Sequence, residues 1–414
     1  MQVDRRRFIK SSLGAAALTG APGCLSAAES RKTTIPQLDK AAAAPILKLS
    51  SVKSPVKIAS IELLRDKKNH FVRARSTDGA VGVAVTNSRA PYLYPILHKL
   101  VIPYFIGKDA RDLESLIDGV YLYKSNYKLA NLALWCCVAW VEFSILDMLG
   151  KMEGKPVGEL LGGVVNNDIA VYAASGNRNT TPQQEVDILK KSVDKGAHAV
   201  KFKVGGRMSN NADSMPGRSE GLIRIVRKAL GDKVTIYADA NGSYDCRKGT
   251  EIGKLIQDNG INMFEEPCPW DHLEDTKCVA DALSIPVSGG EQETSLRRFR
   301  WMIHNNGLDI VQPDLHYNGG FIRAIRVARM AAQAGMTVVP HMSGGGTGYV
   351  EVLHFASCPP NIGPYHEFKG GLAQTGPWYD PPLRLKDGRI NVPTGPGLGI
   401  SEEADILKNA KPVE

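Results

Sequence analysis

"HAVKFKVGG", residues 198–206, reads as a short buried strand, yet it carries two lysines. Strand side chains alternate between faces, so Lys201 and Lys203 share one face and Phe202 takes the other. Two ammonium groups on one side of an apolar strand repel each other and lose hydration. Whatever offsets that cost must come from elsewhere in the chain.

Similar short apolar runs recur, each but the last followed by a helical stretch: "DIAVYAAS" (168–175), "VTIYADANG" (234–242), "INMFEEP" (261–267), "IPVSGGE" (285–291), "LDIVQPD" (308–314), "MTVVPHM" (336–342) and "GPYHEF" (363–368). With 198–205 they make eight, and strand-then-helix repeated in this way predicts a parallel (β/α) barrel. The last polar residues of the runs are Lys203, Asp239, Glu265, Glu291, Asp314, His341 and Glu367. From Asp239 onward they are 26, 26, 23, 27 and 26 residues apart, about one βα unit each time. The C-terminal end of successive strands therefore presents an ionisable group, and in such a barrel that rim carries the active site.

Asp239, Glu265 and Glu291 lie on three consecutive strands. Three carboxylates converging on one rim repel unless a cation sits between them, and hard oxygen donors without histidine or thiolate favour Mg²⁺. A substrate carboxylate bound to that metal would lie beside the lysines. Lys201 is expected to hold it, and Lys203 to act as a general base where the second ammonium and the metal favour its neutral form. Across the barrel, Asp314 is expected to orient His341 and raise its basicity. Glu367, if protonated, could donate a hydrogen bond to developing negative charge.

Residues 56–86 alternate in the manner of a three-stranded antiparallel meander, and helical segments continue to about 160. The 414 residues suit two domains. Hydrophobic content of 43% and charged content of 23% are ordinary for a globular protein. The net charge of +8 includes +3 from residues 1–28. The mild remainder suits an anionic small molecule, and with no basic run interleaved with aromatics a nucleic-acid partner is not expected. The apolar run "LALWCCVAWVEFSILDMLG" (132–150) contains Glu142 and Asp147, which predicts a buried core helix rather than a membrane span.

The N-terminus puts "DRRRFIK" (4–10) before the small, weakly apolar "SSLGAAALTGAPG" (11–23). This resembles a twin-arginine export signal. It implies the twin-arginine export machinery as a partner, a periplasmic location and cleavage after Ala28. Cys24 offers an alternative lipid-attachment site, although Ala21-Pro22 before it fits that box poorly. Residues 29–54, with "DKAAAAP", read as a linker. The seven cysteines show no CxxC or zinc-like spacing and are expected to be buried free thiols.

On Lys201-x-Lys203, "DANG" with Asp239 and Asn241, "FEEP" with Glu265 and Glu266, "GGE" with Glu291, "QPD" with Asp314, His341 and Glu367, the chain resembles the enolase superfamily, mandelate racemase subgroup, over about residues 55–400. Asp314 paired with His341 favours the racemase-type branch over the muconate-lactonising and dipeptide-epimerase branches, where the sixth strand typically presents a lysine. The resemblance implies an α/β fold: a modified (β/α)8 barrel of (β/α)7β type (166–380), an N-terminal α+β capping domain (55–165) and a C-terminal segment (381–414) returning to the cap. It also implies Mg²⁺, a small-molecule carboxylate substrate bound in part by Asn241, loss of the proton α to that carboxylate through an enediolate, and a homo-oligomer. Dehydration of an acid sugar or hydroxy acid is the first expectation. Racemisation or epimerisation of a 2-hydroxy acid uses the same residues, and an exported sugar-acid binding protein without turnover is the remaining reading.

Overall fold

The computed structural model describes residues 33–341, 343, 349–368, 379, 382–400 and 405–413. Helix α1 (Ile35–Ala43) comes first. The predicted meander follows as β1 (Ile58–Asp66), β2 (Asn69–Ser76) and β3 (Val81–Val85), paired antiparallel in order. Helices α2 (Ala90–Ile96) and α3 (Leu113–Val120) lead to the 22-residue α4 (Leu132–Glu153). Although α4 is long and apolar enough to cross a membrane, most of it is buried within the protein. Its two acids explain why. Asp147 accepts hydrogen bonds from Val83 N of the cap sheet (2.8 Å) and from Leu398 N (2.7 Å).

The barrel strands are β4 (Asp168–Ala174), β5 (Ala199–Lys203), β6 (Thr235–Asp239), β7 (Met263–Glu265), β8 (Val287–Gly289), β9 (Ile310–Val311), β10 (Thr337–Val338) and β11 (His366–Phe368). From β4 to β10 each pairs in parallel with the next, and β11 pairs in parallel with β4, Glu367 opposite Tyr172. Seven helices alternate with them: α5 (Pro182–Asp194), α6 (Arg218–Leu230), α7 (Cys246–Asp258), α8 (Leu273–Ala282), α9 (Leu296–His304), α10 (Phe321–Gln333) and α11 (Tyr349–Ala356). This is the (β/α)7β arrangement. The later strands are shorter than the apolar runs suggested because Pro313 and Pro340 have no N–H to give to the ladder. Pairing resumes just past them, where Asp314 bridges His341.

After the barrel, β12 (Leu385–Lys386) and β13 (Arg389–Asn391) form a hairpin whose second strand pairs antiparallel with β4. Farther on, β14 (Lys411–Pro412) adds a fourth strand to the cap sheet beside β1. One hydrophobic core runs from the cap through α4 into α9, α10 and α11. A second fills the wall between β5–β8 and their helices.

Two expectations require correction. Residues 35–43, read within a linker, are helix: alanine-rich sequence favours helix, and Thr34 N donates to Gln37 Oε1 at its start. Leu38 is fully buried, Asp39 pairs with Arg300 at 2.7 Å, and beyond the helix Glu114 accepts from Ile46 N and Leu47 N at 2.9 Å. The segment is a docked strap. The cysteines are not all free either. Cys246 and Cys278 form a disulfide, because adjacent helices α7 and α8 bring their Cα atoms to 5.8 Å, within bridging range. Cys136, Cys137, Cys268 and Cys358 are free and buried as expected, whereas Cys24 and the export segment lie outside the described residues.

Glu142 links α4 to the barrel. Its carboxyl accepts from Phe321 N (2.5 Å) and Ile322 N (2.9 Å) at the start of α10. Gly320 must be glycine: its φ is +106°, and a Cβ there would fall 1.8 Å from Glu142 Oε2. Burial lifts the Glu142 carboxyl from an ordinary 4.5 to about 8 against the pull of those two amides. A raised folded-state value means that the folded chain holds a proton the unfolded chain releases. The resulting stabilisation is complete below pH 4.5 and fades as pH rises towards about 8. Glu142→Gln, which does not titrate, should therefore lose less stability than wild type across that window in urea unfolding, and equal losses would contradict the assignment.

Candidate active site

Parallel register explains the even spacing of rim residues. Lys203 stands opposite Asp239, Asp239 opposite Glu265 and Glu265 opposite Ser288, so one rung of the sheet holds three of the charged groups. Paired residues of a parallel ladder share a face, and this face is the barrel interior. Glu291 stands just past β8, Asp314 and His341 just past β9 and β10, and Glu367 on β11.

The two lysines are compensated by carboxylates. Lys203 Nζ contacts Asp239 Oδ2 directly. Lys201 Nζ lies 2.5 Å from Glu265 Oε1, 3.2 Å from Glu367 Oε1 and 3.6 Å from Asp239 Oδ2, and it donates to Tyr172 Oη at 3.2 Å. Burial opposes the Lys201 charge, but Glu265 and Glu367 outweigh it and hold its ammonium well above the usual lysine range. Lys201 was expected to reach a substrate carboxylate. In the structure it is fully buried, and its direct partners are the protein's own acids.

Asp239, Glu265 and Glu291 are buried, and one oxygen from each lies within 4.8 Å of the others. Burial works against the Asp239 charge, yet Lys203 and Lys201 keep its carboxyl below the usual range. Glu265 goes the other way: burial, resisted by Lys201 and reinforced by Asp239 and Glu291, lifts it to about 7. Burial and the neighbouring Glu291 and Asp239 also raise Glu266 well above the usual carboxylate range, and its Oε1 is buried without a hydrogen-bond partner. Three buried carboxylates converging within 4.8 Å, all hard oxygen donors, fit a divalent cation such as Mg²⁺.

The predicted dyad forms. His341 Nδ1 lies 2.6 Å from Asp314 Oδ2, and Asp314 Oδ1 accepts from His316 N and Tyr317 N, each at 2.9 Å. Burial would favour the neutral acid, but the hydrogen bond to His341 keeps Asp314 below the ordinary value. With Nδ1 so engaged, His341 Nε2 points at the carboxylates, 3.2 Å from Glu291 Oε2 and 3.4 Å from Glu367 Oε2. The site therefore has a lysine from the second barrel strand on one side and an imidazole from the seventh on the other. Asn241, at φ +43°, receives its place from Asp239: Asn241 N donates to Asp239 Oδ1 at 2.7 Å, and Nδ2 to Oδ2 at 3.3 Å.

Sequence reading missed several participants. Gln312 Nε2 donates to Glu265 Oε2 at 2.9 Å. Asn87, at the end of the cap meander, donates to Ser343 Oγ at 3.0 Å, and Ser343 donates to Asp314 Oδ1 at 3.0 Å, so the cap touches the dyad through one hydroxyl. Arg178 and Arg207 both donate to Asn241 Oδ1, at 2.8 and 3.3 Å. The place of Gln312 as the first residue of the "QPD" run was a usable signal. The others lie on loops with no fixed offset from the strand ends.

A family model described as enolase C-terminal domain-like matches residues 184–406. An arabinonate dehydratase from Saccharolobus solfataricus is 27% identical over 330 residues, 76% of this chain and 82% of the relative. An L-talarate/galactarate dehydratase from Salmonella typhimurium is 29% identical over 340 residues, 80% of each. A solved structure from Roseobacter denitrificans covers 86% of this chain and 99% of its own, with TM-score 0.81 and 36% identity. A mandelate racemase/muconate lactonizing protein from Paracoccus denitrificans, complexed with magnesium, covers the same shares with TM-score 0.79 and 26% identity. The family match takes in more than half of the chain, including the strands that carry these acids and bases, and on that ground the chain belongs to the enolase superfamily.

Proposed function

We propose that the protein is a Mg²⁺-dependent acid-sugar dehydratase that removes the proton α to a carboxylate and then eliminates the neighbouring hydroxyl. The observation that carries this reading is the pairing of two proton-handling groups, Lys203 and the Asp314-oriented His341, around one cluster of three buried carboxylates. Several similar curated proteins are named for this chemistry on arabinonate, talarate, galactarate and galactonate.

A cation held by Asp239, Glu265 and Glu291 would supply fixed positive charge beside the substrate carboxylate, which lowers the cost of the negative charge developing there. The chain's residues handle the protons. Lys203 takes the proton from C2, and the C–H electron pair moves into the carboxylate. His341, protonated at Nε2, gives that proton to the hydroxyl on C3 as the C–O bond breaks, so water leaves and an enol remains that tautomerises to the 2-oxo acid. Asp314 holds the imidazole in the orientation this requires and stabilises its charged form. Lys201 supports the site from beneath by offsetting Glu265 and Glu367.

Racemisation of a 2-hydroxy acid is the second reading, favoured by the same placement of Lys203 and His341 on different sides of the cluster. Loss of water and loss of optical rotation, followed in parallel on a panel of acid sugars and hydroxy acids with Mg²⁺, distinguish the two. Lys203→Met and His341→Asn should each slow turnover by about 10²–10⁴-fold; Lys203→Met should abolish solvent-deuterium exchange at C2, whereas His341→Asn should abolish exchange there only under the racemase reading, in which the imidazole serves the other face of C2. Full α-proton exchange in both variants would overturn this reading.

We further infer that the chain is exported by the twin-arginine route. The arginine run Arg5–Arg7 ahead of a weakly apolar stretch supports this, as does the Cys246–Cys278 disulfide, which suits an oxidising compartment. Replacing Arg5, Arg6 and Arg7 with lysine should retain the protein inside the cytoplasmic membrane on cell fractionation. Undiminished export of that variant would contradict the inference.

A further inference from the structure

Arg178 and Arg207 come from two different loops at the C-terminal rim, after β4 and β5, and meet at a third, where both donate to Asn241 Oδ1. Like-charged groups repel, and one neutral amide oxygen is weak compensation for two guanidinium ions. Each guanidinium has five N–H donors in a planar fork suited to a carboxylate. Arg178 spends one on Gly205 O at 3.1 Å and one on Asn241. Among the described residues, neither arginine has a carboxylate within ion-pair distance.

The loops are built to keep the two groups there. The buried Arg218 donates to Asn177 O (3.1 Å) and Thr180 O (2.7 Å), on either side of Arg178, and to Lys203 O (2.8 Å). Arg207 sits at φ +66°, a left-handed conformation that is strained for a non-glycine residue. Its N–H is pinned by Ser243 Oγ at 3.0 Å, and the next residue, Met208, donates its N–H to Asn241 O at 3.0 Å. Strain of this kind persists where the surroundings impose it, and here it brings a second cation to the first.

We propose that Arg178 and Arg207 form an anion subsite for the distal carboxylate of a diacid substrate, a hydroxylated dicarboxylic acid whose other carboxylate lies at the reacting end. The inference rests on the dehydratase reading above and adds the substrate class. Asn241 separates the two ends: its Nδ2 faces Asp239 and Glu266, and its Oδ1 faces the arginines. A substrate with a neutral terminal alcohol would offer neither guanidinium a counter-ion at ion-pair distance, whereas a terminal carboxylate gives them a bidentate partner.

Calorimetric titration in Mg²⁺ tests this on Lys203→Met/His341→Asn protein, so that binding is read without turnover. The probes are hexaric acids, each paired with the hexonic acid of the same configuration. The best diacid should bind roughly 10- to 100-fold more tightly than its monoacid, the scale of a charge-assisted pair. That ratio should collapse towards one when Arg178→Met and Arg207→Met are added. Arg178→Lys should restore part of it, since a lysine keeps the charge and loses the fork. Equal binding of both classes would overturn the proposal, as would a diacid preference that survives loss of both arginines. So would an equal weakening of both classes, which would mean that the arginines only hold Asn241. These outcomes leave the dehydratase reading intact. That reading instead fails on α-proton exchange in the wild-type enzyme.

Discussion

Everything at the mouth of this barrel depends on charge compensation among buried side chains. Lys201 is fully buried and Lys203 nearly so, and two ammonium ions on one strand are tolerable only because Asp239, Glu265 and Glu367 face them. Asp239, Glu265 and Glu291 bring one oxygen each within 4.8 Å of the others, and burial, reinforced by the Asp239 and Glu291 charges, lifts Glu265 to about 7. Positive strand and negative rim form one electrostatic unit, which a cation between the three acids would complete. Replacing any member leaves an uncompensated buried charge, the costliest kind of defect in a protein interior.

The cap and barrel are joined by buried acids as well as by apolar packing. Helix α4 places Asp147 against the cap sheet and Glu142 against the start of α10, so one helix carries both connections. The hydrogen-bond path from Asn87 through Ser343 to Asp314 then brings the cap into contact with the group that orients His341. Cap and imidazole are therefore connected through three hydrogen bonds.

The rim residues were legible in the sequence because a parallel ladder repeats one structural position every βα unit. Lys203, Asp239 and Glu265 prove to share a single rung. Strand lengths were less legible, since the apolar runs continue past the points where Pro313 and Pro340 interrupt the ladder. The strap helix was hidden by its composition: in "IPQLDKAAA" only Leu38 is buried, too little to mark an apolar face. The Cys246–Cys278 bridge and the meeting of Arg178 with Arg207 depend on neighbouring loops and helices in space. Pairings of that kind leave no spacing signal in the chain.

The most direct test of this electrostatic unit is a crystal structure of the protein with Mn²⁺, an oxygen-seeking stand-in for Mg²⁺ whose anomalous scattering locates it. The account predicts one strong anomalous peak bounded by the carboxylates of Asp239, Glu265 and Glu291. No peak there at saturating Mn²⁺, with Asp239 and Glu265 still paired to Lys201 and Lys203, would contradict it.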